Sequence, residues 1–179
     1  MHLQGEDVSE EGQRGKQLSL IRTTFIGVGN TLAGDDGVGV VMLRDLQKIV
    51  GECPRFSFLE MSGDLYEVWD VLPSTDSMVF FDAVSGETSG QITEGKMLPR
   101  AYSPSFHQAD LCSVVESLHK IYDDPFPQWT VWGVTIDPPE TLGEGLSPAV
   151  SMAAGKAVDE IVGYLRGSGL RIGNLLVKL

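Results

Sequence analysis

The chain has 179 residues, 42% of them hydrophobic, and a formal net charge of −12 at pH 7. That length suits one domain with a single sizeable core. The acidity argues against a general binder of nucleic acid or anionic membrane, and no apolar run approaches the roughly 20 residues of a membrane span.

Residues 1–18 are polar and charged and lack the apolar run of a signal peptide. They read as a flexible leader to a cytoplasmic protein. Two cysteines, Cys53 and Cys112, without CxxC spacing fit a reducing compartment and buried thiols. A single α/β domain is expected over 19–168. Residues 169–179 form an extension that could add a strand or pack outside.

The first strand is expected over 20–28. Thr24 to Val28 is β-branched and apolar, as in a strand covered on both faces. A glycine-rich loop, Gly27 to Gly39, then leads to a helix over 37–51, stopped near Gly51 and Pro54. The loop resembles two nucleotide signatures without matching either. Leu32 stands where the dinucleotide fingerprint needs its third glycine, and Asp35 and Asp36 stand where a phosphate loop needs Lys and Ser or Thr. Two carboxylates repel a phosphate. They suit a helix start electrostatically, where they either cap amides or hold a cation.

Arg55 to Glu60 alternates as a second strand. Gly63 to Leu72 reads as a short helix ended by Pro73, with Leu65, Val68, Trp69 and Leu72 on one apolar face. Ser77 to Val84 is nearly all apolar and is expected at the sheet centre, with Asp82 interrupting it near its carboxyl end. A charge inside such a run needs a donor, a cation or an exit into a crevice.

Gln91 to Leu98 is a more polar edge strand. Helix periodicity runs from His107 to Tyr122, with Leu111, Val114, Val115, Leu118 and Ile121 toward the core. Gln128 to Thr135 is another strand, and residues 136–146 form a loop with Pro138, Pro139, Gly143 and Gly145. Ser147-Pro148 then opens a helix expected to reach Arg166 and end at Gly167.

Alternating strands and helices give an α/β fold: a three-layer α/β/α sandwich on a central, mainly parallel five-stranded sheet with one antiparallel edge strand. If the first strand lies between the second and third, the loops leaving the first and third diverge into a ligand crevice. Asp36 and Asp82 are expected on facing loops there. His107, at a loop-to-helix junction, either joins them or is simply exposed, and Asp110 could orient its imidazole. His119 reads as a solvated face residue. Two carboxylates and an imidazole suit a borderline divalent metal with open positions.

The residues Phe25-Ile26-Gly27-Val28-Gly29-Asn30, Leu32 and Gly34-Asp35-Asp36-Gly37-Val38-Gly39 resemble the opening signature of the hydrogenase maturation endopeptidases. The likeness continues through Phe80-Phe81-Asp82-Ala83-Val84, Ser105-Phe106-His107-Gln108 and Trp132-Gly133-Val134, over about 24–166. It implies a cytoplasmic endopeptidase, without organic cofactor, that trims the C-terminal extension of a [NiFe] hydrogenase large-subunit precursor. It implies that Asp36, Asp82 and His107 contact the substrate-borne nickel and form the catalytic set. Gly29, Asn30, Asp35 and Gln108 then belong to the substrate-binding loops, Asp35 as base or cap. Partners are expected to be limited to the precursor, and the chain to be a monomer. Glu60-Met61-Ser62-Gly63 departs from the family's Asp-Gly-Gly after the second strand, which leaves the hydrogenase served open. The alternative from another class is a nickel-binding accessory protein that cuts nothing.

Overall fold

The computed structural model describes residues 21–62, 65–95, 111–137 and 142–167. In chain order the elements are β1 (Thr23–Val28), α1 (Val38–Val50), β2 (Phe56–Met61), α2 (Val68–Val71), β3 (Ser77–Ser85), β4 (Ile92–Gly95), α3 (Leu111–Ile121), β5 (Gln128–Ile136) and α4 (Pro148–Gly167). Tight 3-10 turns precede α1 at Gly34–Gly37 and flank α2 at Leu65–Glu67 and Leu72–Ser74. The expected short helix is thus three brief helical pieces, and the last of them runs across Pro73.

The five strands form one sheet in the order β2-β1-β3-β5-β4. The first four are parallel and β4 pairs antiparallel with β5. The expected sheet, its antiparallel edge and the placing of β1 between β2 and β3 are all observed. Register sets Gly27 beside Phe81 and Asp82 beside Gly133.

Strand alternation divides the core into two layers. Phe25 and Phe81 face α1 and α4, packing with Leu43, Leu46, Val158 and Ile161. Ile26 and Phe80 face the other way, with Val68, Val115, Leu118 and Trp129. Within the first layer the Phe25 ring stacks on Phe58 and Phe81 at centroid distances of 5.5 and 6.2 Å. Leu111, Val114, Val115 and Leu118 are buried as expected, but Ile121 is 61% exposed. It is the last residue of α3. Cys53 and Cys112 are free thiols, half-buried rather than buried.

Thr135 organises the approach to β4. Buried in β5, its hydroxyl donates to the carbonyl of Thr88 at 2.5 Å and accepts the amide of Gln91 at 2.8 Å. Among the described residues no helix is long and apolar enough to cross a membrane. The expected leader and the 169–179 extension lie outside the described residues.

Candidate functional site

β1 ends at Val28 and the chain turns at once. Gly29 has φ +138°, a region side chains avoid, and a Cβ there would run into the carbonyl of Asp36. The loop therefore folds back on itself. Asn30 makes the next turn: its Oδ1 accepts the amide of Leu32 at 3.0 Å and its carbonyl accepts the amide of Ala33 at 2.9 Å.

Asp36 is half-buried in the 3-10 turn. Its Oδ2 accepts the amide of Asn30 at 3.0 Å, which closes the loop around its own carboxylate. Among the described residues its other oxygen accepts no hydrogen bond. Burial pushes the Asp36 carboxyl above the usual aspartate range, and the Asn30 amide draws it partly back. A carboxylate so placed accepts a proton or a cation more readily than one in bulk water.

Asp35, the neighbouring residue, points elsewhere. Its Oδ1 accepts the amide of Ser147, the residue before α4, at 2.6 Å. Neither aspartate caps the turn or helix that follows it.

The turn that carries both aspartates packs against β3. Gly39, in the first turn of α1, makes this possible. A Cβ at that position would collide with the carbonyl oxygens of Val28 and Phe81. Glycine lets the helix start sit directly on the end of β1 and the middle of β3. Asp82 is the residue after Phe81.

Asp82 does not stand on a loop beyond the strand, as the sequence suggested. It lies inside β3, which continues to Ser85. It is 8% exposed, and its Oδ1 accepts the amide of Ala83 at 2.8 Å. The backbone donor and the small opening to solvent together offset part of the cost of a buried charge. By strand alternation Asp82 shares the sheet face of Phe80, which α3 covers.

Gly29, Asn30, Asp35 and Asp36 thus form one loop against β3, with Asp82 in that strand. His107 and Gln108, and with them Asp110, lie outside the described residues. Among the described residues no three of His, Cys, Asp and Glu are grouped to hold a metal. His119 is exposed and stacks on Phe126 at 4.7 Å. The residue that sequence reasoning missed is Ser147. It was seen as a helix start, and its backbone proves to be the partner of Asp35. Nothing in the sequence near Ser147 pointed to that pairing.

No family model and no curated protein matches the chain. Solved structures do. An endopeptidase from Escherichia coli, determined in solution, is 26% identical with a TM-score of 0.68, covering 84% of this chain and 96% of that one. The hydrogenase maturating endopeptidase HybD from E. coli is 24% identical with a TM-score of 0.66, covering 83% and 94%. The [NiFe] hydrogenase maturation protease HycI from Thermococcus kodakarensis KOD1 is 22% identical with a TM-score of 0.62, covering 81% and 92%. The likeness spans nearly the whole of each of these proteins. The resemblance read from the glycine loop is therefore borne out in the fold, which is that of a peptidase.

Proposed function

We propose that this chain, a member of the hydrogenase maturation endopeptidase fold family, removes the C-terminal extension of a [NiFe] hydrogenase large-subunit precursor once nickel has been inserted. The observation that carries this reading is the loop of Asp36, folded round its own carboxylate and seated on β3, the strand that carries Asp82. Two carboxylates at one end of a parallel sheet suit a cation better than a phosphate. The resemblance makes His107, four residues before Leu111 in the chain, the third ligand of that set.

On this reading the nickel arrives with the substrate, and Asp36, Asp82 and His107 recognise it there. The ion polarises the scissile carbonyl or an attacking water. Asp36, with one carboxylate oxygen held by the Asn30 amide, takes the proton of that water. Gly29, Asn30 and Gln108 line the approach of the peptide. The chain works in the cytoplasm as a monomer and uses no organic cofactor.

The test is incubation with nickel-loaded and nickel-free precursor, read by mass spectrometry. Shortening of the loaded form alone supports the reading, and equal cleavage of both removes nickel recognition. Nickel bound with no change in precursor length favours a non-proteolytic accessory role. Asp36→Asn and His107→Ala are each expected to abolish processing with circular dichroism unchanged.

A further inference from the structure

The two adjacent aspartates divide their work. Asp36 closes its own loop. Asp35 reaches across to a segment 112 residues later, accepting the Ser147 amide at 2.6 Å. It is one of three ties between the same two segments. The Gly143 amide donates to the carbonyl of Leu32 at 2.9 Å, and the Gly34 amide donates to the carbonyl of Gly143 at 2.6 Å. Ala33 and Gly143 thereby form a parallel bridge outside the main sheet. The glycine loop and the run 142–147 are laced together at both ends, by backbone at one and by the Asp35 carboxylate at the other.

Chemistry favours an acid in this place. Pro148, the next residue, has no amide hydrogen, so Ser147 offers the nearest backbone donor ahead of α4. A carboxylate there also meets the positive end of a 20-residue helix. The Asp35 side chain is thus engaged with α4's leading segment, whereas its neighbour is held by Asn30.

We propose that Asp35 is a positioning residue. Its carboxylate locks the loop that carries Asp36 to the segment entering α4, so that the two move as one body and Asp36 keeps its place over β3. This deepens the proposed peptidase reading and rests on it for the role of Asp36. It separates the pair into one acid that meets the substrate and one that does not.

The experiment compares Asp35→Asn with Asp35→Ala by two readouts. One is hydrogen exchange of residues 30–37 and 142–147. The other is precursor processing, resolved into kcat and KM. Asparagine keeps an acceptor oxygen for Ser147, so Asp35→Asn is expected to retain wild-type protection and kcat within about threefold. Alanine keeps none. Asp35→Ala is expected to lose protection in both segments together and to lower kcat about a hundredfold, as small misplacements of a reacting group do. An Asn variant as inactive as Ala, with protection intact, would overturn the proposal, because it would make Asp35 a base or a ligand. Unchanged exchange in Asp35→Ala would overturn it too. If wild-type protein fails to process any precursor, the peptidase reading falls, while the exchange comparison still decides the lock.

Discussion

Gly39 of α1 sits against the carbonyl of Phe81, the residue that precedes Asp82 in β3. The helix that follows the glycine loop thus touches the strand that carries the second candidate acid. No side chain fits between them, so their separation is set by backbone contact.

A methyl group at that point must push α1 away from the sheet. Gly39→Ala is expected to destabilise the fold by about 2–3 kcal/mol, despite the better helix propensity of alanine. A lower urea midpoint with an unchanged m-value would show it. Processing should fall further than stability accounts for, because the displaced helix carries the Asp36 turn with it.

Asp36 should weaken the fold it serves. Its carboxyl is raised by burial, so the folded state holds the proton more tightly than the unfolded chain. Between the ordinary aspartate value and the raised one, the native state binds more protons, and stability falls as pH rises through that window. Above it the loss is complete. The metal-free Asp36→Asn protein is therefore expected to melt at a higher temperature than wild type at pH 7, with the gap closing as pH drops below the ordinary aspartate range. An Asn variant that melts lower at neutral pH would contradict this.

Along α3 the costs should split within one turn. Leu118 is 1% exposed and belongs to the core on the α3 face. Leu118→Ala is expected to cost about 2–5 kcal/mol. Ile121, exposed at the helix end, can become serine within about 0.5 kcal/mol. Chemical denaturation of both variants separates them.

Thr135 is the third core position to test. Valine matches its shape but offers no hydroxyl to Thr88 or Gln91. Thr135→Val is expected to cost about 0.5–1.5 kcal/mol, the net worth of its hydrogen bonds, since Thr88 and Gln91 are exposed and can turn to water. Exchange of the Gln91 amide should rise with it.

The sheet was legible in the sequence because its signals are local. Apolar runs, alternation and punctuating glycines gave all five strands, while the place of β1 between β2 and β3 was a supposition about topology that the sheet order matches. Ile121 misled for the same reason. It keeps helical spacing with Leu118, but spacing does not reveal where the buried face of a helix ends. For Asp82 the apolar run left an exit, a cation or a donor open, and the expected crevice favoured the exit onto a loop. In fact β3 runs on through Ser85, and the Ala83 amide supplies a donor in place. The fate of Asp35 was hidden most completely. Asp35 and Asp36 are the same residue type side by side, and only a contact from the far end of the chain tells them apart.

That contact also orders events during synthesis. At about 5–20 residues per second, Ser147 leaves the ribosome on the order of ten seconds after Asp35. Until then the glycine loop has neither the amide of Ser147 nor the backbone of Gly143 to grip. A nascent chain carrying every residue of β1, β3 and the Asp36 turn would still lack a finished loop.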